Sequence, residues 1–130
     1  MKTTKIIKII TAIALTATGF TACKKNSDGG KATIAALPAH HGKEIFGATA
    51  YVKFGATELP SDPTTNYDLK IVGEAKENHV HIEDLRYGKY YVYMVGYDST
   101  IKQVVKGGVP AHIKYSQRAK EIDLNVPVTE

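Results

Sequence analysis

The stretch LRYGKYYVYMVGYD, residues 85–98, decides the fold of this chain. Residues 86–88 predict a turn, and residues 90–95 are rich in the β-branched and aromatic types that favour strands. Because side chains alternate across a strand, both faces of this one are apolar. One face carries Tyr90, Val92 and Met94, and the other carries Tyr91, Tyr93, Val95 and Tyr97. The first face predicts a central core strand, and the second forms a stripe of tyrosines.

Short apolar or alternating runs surround this stretch, and turn residues separate them at fairly regular spacing. Such a pattern is typical of an all-β domain. Strands are predicted at residues 33–37, 48–54, 67–72, 79–82, 104–106, 109–115 and 121–128, with a tight turn at Gly107-Gly108. Pro110 places the strand at 109–115 on a sheet edge, because proline cannot donate to a ladder. About seven short strands in roughly 100 residues predict a β-sandwich.

The inward positions of these strands supply a core large enough for one small domain. Its predicted members are Ile34, Ala50, Val52, Leu69, Ile71, Val80, Ile82, Leu85, Tyr90, Val92, Met94, Ile113, Ile122, Leu124 and Val126. Each large side chain of this set contributes roughly 1.5 to 3 kcal/mol when it is fully buried. The domain is therefore expected to fold without disulfides, and a single cysteine cannot form an internal one.

The N-terminal residues have the layout of a secretory signal peptide. Three lysines precede an apolar run at residues 9–20, and small residues stand before the only cysteine, Cys23. Residues 20–23, FTAC, resemble the lipobox of bacterial lipoproteins, in which the cysteine receives a lipid and becomes the new N-terminus. We therefore expect a signal peptide at 1–22, lipidation of Cys23, a flexible tether at 23–31 and the sandwich at 32–130. The expected location is the bacterial cell envelope, on its periplasmic face or at the cell surface.

The positive charge of the chain is concentrated near its N-terminus. The whole sequence has 17 basic and 13 acidic residues, but from residue 32 onward it has 11 basic and 12 acidic ones. A nucleic-acid-binding domain would carry a concentrated basic face. The near-neutral domain therefore argues against nucleic acid as a partner, and we expect the membrane, reached through the lipid, to be one.

Two sequence segments resemble the prealbumin-like family, which includes carboxypeptidase regulatory-like domains and the B-type repeats of collagen adhesins. The first segment matches at Gly42, Ile45, Gly47, Ala48 and Ala50, and the second at Val80, Ile82, Leu85, Gly88, Tyr90 and Val92. The resemblance covers roughly residues 33–128 and implies an immunoglobulin-like sandwich. It also implies a role in binding, spacing or stability, and it supplies no catalytic residue.

Histidines are the most suggestive chemistry of the chain. His40 and His41 lie in a predicted turn, while His79 and His81 alternate onto one strand face. Two neighbouring imidazoles suit copper or zinc when one or two further ligands complete the set. The alternative interpretation is that all four histidines are solvated polar residues. The metal hypothesis joins His79 and His81 with His40 or His41 and gives an alternative function, a periplasmic copper- or zinc-binding protein.

The tyrosine stripe is the second candidate site. Tyr91, Tyr93 and Tyr97 would offer another envelope protein or a glycan a large contact area at low entropic cost. If a second layer covers the stripe, these tyrosines are core instead. The serines lack the context of a nucleophile elbow. We therefore expect a membrane-anchored binding or structural protein that is not an enzyme and needs no cofactor.

Overall fold

The computed structural model describes residues 28–130 as a sandwich of two four-stranded sheets, which confirms the predicted all-β fold. The strands are β1 (Asp28–His40), β2 (Lys43–Glu44), β3 (Thr49–Phe54), β4 (Leu69–Val72), β5 (Val80–Leu85), β6 (Gly88–Asp98), β7 (Gln103–Ile113) and β8 (Glu121–Pro127). A single 3₁₀ turn, Tyr115–Gln117, precedes β8. Within this part of the chain, no helix is long and apolar enough to span a bilayer.

The first sheet is built around β1. Strands β2 and β5 pair antiparallel with it, and β8 pairs parallel with it, so that Ala36 is in register with Val80 on β5 and Leu124 on β8. The second sheet has the order β4-β3-β6-β7, all antiparallel, which places β6 in the interior as the sequence predicts. Pro110 lies on β7, and β7 is an edge strand, as predicted.

The core fills the space between the sheets, and its membership matches the prediction. Every residue of the predicted core is buried or packs, partly buried, against the buried cluster. The inward row of β6, residues 90, 92 and 94, is fully buried because it faces the inward row of β1, residues 32, 34 and 36. These two rows align the strands whose ends form the site described below.

Strand β1 is longer than predicted at both ends. It begins at Asp28, which is in register with Leu85 on β5. Residues 28–31 therefore belong to a strand and not to the predicted flexible tether. It also continues past Pro38 to His40, because Pro38 is fully buried on the inward face and both neighbouring pairings continue beyond it. Residues 1–27, and with them the predicted signal peptide and Cys23, lie outside the described residues.

The prediction of a tight turn at Gly107-Gly108 is wrong. Both glycines lie in the middle of β7, in register with Met94 and Tyr93. A Cβ on Gly107 would lie 2.2 Å from the carbonyl oxygen of Pro127, and one on Gly108 would lie 2.6 Å from the Tyr91 ring. The glycines are therefore required by close packing on the two faces of a strand, since each lets a different neighbour approach the backbone.

Candidate functional site

The inward rows of β1 and β6 both end in a polar residue at the same end of the sandwich. On β1 the row runs through residues 34, 36 and 38 to His40, and on β6 it runs through residues 90, 92 and 94 to Asp98. His40 and Asp98 are each only 4% exposed, and they are the two buried polar or charged residues of the described chain. The two sheets therefore meet at this end through a charged pair, where elsewhere they meet through apolar side chains.

Both ring nitrogens of His40 contact carboxylates. Nδ1 lies 2.9 Å from Oδ2 of Asp98, and Nε2 lies 2.7 Å from Oε2 of Glu130. The other oxygen of Asp98 accepts a 2.9 Å hydrogen bond from the backbone N–H of Thr100, while Nζ of Lys43 lies 3.8 Å from it. In its imidazolium form, His40 donates a hydrogen bond to each of the two acids. Such charge-assisted hydrogen bonds are shorter and stronger than those between neutral groups.

This arrangement favours the charged form of each partner. The pKa of His40 is raised above the ordinary 6.5, chiefly by the hydrogen bond between His40 and Asp98 and to a smaller extent by Glu130. The hydrogen bond from His40, supported by the Thr100 N–H, lowers the pKa of Asp98 from 3.8 to about 2. A backbone N–H and the His40 hydrogen bond lower the pKa of Glu130. His40 is therefore held between two ionised carboxylates.

His41 joins this cluster through an unusual turn. β1 and β2 form a hairpin in which His40 pairs with Lys43, which leaves a loop of two residues, His41 and Gly42. Both have positive φ, 48° and 78°, as a type I′ turn requires. Asparagine, aspartate and glycine favour the first position of such a turn. The histidine that occupies it here lies with its ring centroid 4.3 Å from that of His40.

Glu130 reaches His40 because the end of the described chain continues beside β1. The N–H of Val128 donates to the carbonyl oxygen of Ala39, and Thr129 exchanges two backbone hydrogen bonds with Lys106 on β7. This segment, residues 126–130, thus contacts both sheets. The segment can lie against β7 only because residue 107 is a glycine, since any side chain at that position would collide with Pro127.

His40, His41 and Glu130 together offer three ligand atoms within 4.8 Å of one another. Two imidazoles and one carboxylate are a ligand set that zinc sites use when they keep one position open. Asp98 occupies the place of an outer carboxylate, which fixes the tautomer and the orientation of a ligating imidazole by accepting from its other nitrogen. Chemically, the cluster can hold a proton on His40 or a divalent metal at Nε2.

The structure does not bring His79 and His81 to this cluster, so the predicted joint metal set is wrong. His81 lies opposite Ala35, five residues before His40, which separates the two along β1 by about 16 Å. It also faces outward, because Val80 and Ile82 beside it are buried. His40 faces inward, so one metal cannot reach both. The predicted turn at residues 40–43 is confirmed as the turn of the β1–β2 hairpin, in which His40 is also the last residue of β1 and pairs with Lys43.

The two outward histidines form a separate pair. The ring centroids of His79 and His81 lie 4.5 Å apart. His79 contacts Asn78 at 2.8 Å, and the nearest acids are Glu77, 4.0 Å from His79, and Glu121, 3.8 Å from His81. Both rings are partly exposed to solvent, His79 by 31% and His81 by 40%. No third ligand of the described chain joins this pair within the reach of one ion.

The predicted tyrosine stripe divides into a buried and an exposed part. Tyr91 is only 8% exposed because its ring lies across Gly108, Tyr93 is half-buried, and Tyr97 is 54% exposed. Burial raises the pKa of Tyr91 and that of Tyr93. Tyr91 is therefore a packing residue of the outer sheet face and not a contact residue. The exposed part is Tyr97 together with Val104, its register partner on β7.

Asp98 and Glu130 are the site residues that sequence reasoning missed. The signal was present in the alternation, because the inward row of β6 extends by period two from residue 90 to Asp98 and the row of β1 extends to His40. A charged residue at an inward position implies a buried partner. For Glu130 the sequence holds no such signal, since its position depends on the path of residues 126–130 across both sheets.

Comparison of the chain with protein-family models, with curated proteins and with solved structures finds no match in any of the three. A function for this chain is therefore inferred from the sequence of its N-terminal residues and from the geometry of the sandwich.

Proposed function

We propose that this chain is a lipid-anchored protein of a bacterial cell envelope, whose prealbumin-like sandwich binds a partner and performs no catalysis. The observation that carries the proposal is the order of basic residues, apolar run and small residues before Cys23, the only cysteine. The presence of a single cysteine supports it, because Cys23 has no partner for an internal disulfide and is available for lipidation. The proposal of no catalysis is supported by the contact of His40 Nε2 with the Glu130 carboxylate, because a catalytic triad would place a nucleophilic hydroxyl at that nitrogen.

Lipidation at Cys23 would place the sandwich close to the bilayer. Residues 24–27 separate Cys23 from the start of β1 at Asp28. Fully extended, the connection from residue 23 to residue 28 spans at most about 18 Å. β1 then runs for roughly 40 Å to His40. An anchored domain of this form therefore presents the histidine cluster at the end of β1 that lies farther from the lipid.

The anchoring is tested by replacing Cys23 with serine. The wild-type protein is expected in the membrane fraction, and Cys23→Ser is expected to leave it, because one sulfur carries the lipid. Lys24→Ser is the matched control, since it changes the neighbouring residue and keeps the thiol. Fractionation of cells followed by immunoblotting gives the result. If Cys23→Ser remains with the membranes to the same extent as wild type, the proposal is wrong.

The docking surface proposed for an envelope protein or a glycan is the exposed part of the outer sheet face. Tyr97 and Val104 adjoin each other on β6 and β7, and half-buried Tyr93 continues the surface toward Tyr51, whose ring centroid lies 6.5 Å away. Tyrosines at such a surface give contact area with few rotatable bonds.

This surface is tested by crosslinking in intact cells followed by purification of the protein. Tyr97→Ala is expected to lose the partner that wild type captures and to stay folded, because the side chain is largely exposed. Tyr115→Ala removes another exposed tyrosine, 62% accessible, outside this face and serves as the control. Equal capture by Tyr97→Ala and wild type would contradict the proposed surface.

A further inference from the structure

The cluster at the end of the sandwich brings together side chains from three parts of the chain. His40 comes from β1, His41 from the hairpin turn and Glu130 from the segment that contacts both sheets. Asp98 reaches them from β6 and contacts Nδ1 of His40, which leaves Nε2 directed toward Glu130. The three candidate ligand atoms lie within 4.8 Å of one another.

A purely structural role explains only part of this arrangement. A histidine held by two carboxylates would close the end of the sandwich by itself, and it accounts for His40, Asp98 and Glu130. It does not account for His41, which is exposed and whose ring centroid lies 4.3 Å from that of His40. A second imidazole beside His40, with the Glu130 carboxylate within reach of both rings, is the ligand set of a metal site.

We propose that His40, His41 and Glu130 bind one divalent transition metal of the zinc or copper(II) class. Nε2 of His40, a ring nitrogen of His41 and the carboxylate of Glu130 are its ligands, and Asp98 is a positioning residue that accepts from Nδ1 of His40. Imidazole ligands favour zinc and copper over magnesium and calcium, which prefer sets of oxygens. Three protein ligands leave a coordination position for water or for a ligand atom of a partner.

The bound metal would also stabilise the end of the sandwich. It would join the β1–β2 hairpin to residues 126–130, and that segment already bridges the two sheets through Thr129 and Lys106. This inference goes beyond the proposed anchoring and does not depend on it. A protein that leaves the membrane on loss of Cys23 can still bind the metal, and a lipidated one can fail to bind it.

The test is a calorimetric titration of the full chain with Zn(II) and, separately, with Cu(II). The chain carries Cys23→Ser, so that no thiol competes for the metal. We expect one metal per chain, and we expect His41→Asn and Glu130→Gln each to weaken the affinity at least about tenfold, as loss of even an outer-shell partner does. His41→Asn suits this purpose because asparagine favours the same turn. Both altered side chains are exposed, so both variants are expected to fold.

A variant with His79→Ala and His81→Ala is the matched control, since it removes an equally close pair of imidazoles from the outer face. Its affinity and stoichiometry are expected to equal those of the parent chain. Absence of binding by both metals in the parent would overturn the proposal. Undiminished binding by His41→Asn and Glu130→Gln would overturn it too, as would a loss of the single site in the His79 and His81 variant.

Discussion

Two pairs of histidines in this chain have nearly the same ring spacing and very different surroundings. The rings of His40 and His41 lie 4.3 Å apart and those of His79 and His81 lie 4.5 Å apart. In the first pair, His40 lies at hydrogen-bond distance from two carboxylates, the buried Asp98 and Glu130. Behind the second pair the acids are exposed and 3.8 to 4.0 Å away.

The two pairs differ in the support that their imidazoles receive from the surrounding carboxylates. A ligating imidazole needs a partner that fixes its tautomer, and burial makes that partner effective because water does not compete for it. His40 meets both conditions at the inward end of a strand, whereas His79 and His81 lie on an outward face. Changing one of these conditions at a time tests whether the difference between the two pairs matters for metal binding.

The largest effect is expected when the backbone segment that carries Glu130, residues 126–130, is moved. Gly107→Ala places a Cβ 2.2 Å from the Pro127 carbonyl oxygen, so residues 126–130 must move away from β7. We expect the free energy of unfolding to fall by about 1 to 3 kcal/mol, as overpacking does. Urea denaturation measures it. Lys106→Ala, an exposed neighbour on the same strand, is the control, and a Gly107→Ala variant as stable as that control would contradict the account.

The next effect concerns the orientation of His40. In Asp98→Asn the amide N–H₂ group donates to Nδ1 of His40, so the ring proton moves to Nε2. That proton then occupies the Nε2 lone pair, which a metal would need. We expect zinc affinity to fall by about 10- to 100-fold. Asp98→Glu keeps a carboxylate and is expected to restore part of the affinity, which separates the charge from general damage to the fold.

Glu121→Gln is the matching change behind the second histidine pair. It removes the acid nearest His81 and is expected to leave zinc affinity unchanged in the same titration. If Asp98→Asn binds zinc as tightly as Glu121→Gln does, the carboxylate behind His40 has no positioning role.

A smaller effect is expected on the pH dependence of stability in chelator-treated protein. The lowered pKa of Asp98 contributes stability that is present above 3.8 and is lost as the pH falls toward about 2. The raised pKa of His40 contributes stability that is present below 6.5 and is lost as the pH rises through the higher folded-state value. Glu130 acts in the same direction as Asp98, and Lys43 is the remaining charged contact of Asp98.

The stabilisation by this cluster is therefore greatest between pH 4.5, the ordinary pKa of Glu130, and pH 6.5, the ordinary pKa of His40. His40→Gln removes the titrating ring, so the urea midpoint of wild type should exceed that of the variant most within this window. The difference should shrink above it. A difference that grows steadily toward alkaline pH would show that His40 is not held as an imidazolium.

The smallest effect is expected at the second histidine pair. His81→Ala removes an exposed ring whose nearest acid, Glu121, is 3.8 Å away and is itself exposed. Such surface changes alter the free energy of unfolding by no more than about 0.5 kcal/mol. Thermal or urea denaturation measures it. A loss well above that value would mean that the outward pair contributes to the fold and that the contrast between the two pairs is smaller than the geometry indicates.

Much of the fold could be predicted because it depends on alternation. The inward rows of β3 and β6 follow directly from Ala50 and Val52 and from Tyr90, Val92 and Met94, since burial of one face selects apolar residues at every second position. The ends of the strands could not be predicted in this way. Pro38 looks like a strand terminator, and Gly107-Gly108 looks like a turn, until the neighbouring strands that accommodate them are known.

The sequence by itself determined the all-β class, the core, the edge position of Pro110 and the prediction of a lipid anchor at Cys23, because these depend on local patterns of side-chain type. Only the tertiary structure decided that His40 meets Asp98 and Glu130, which are 58 and 90 residues away along the chain. It also decided that His81 faces away from them and that Tyr91 is buried. These facts depend on the register and the spacing between two sheets, and no local pattern encodes a distance between residues of different strands.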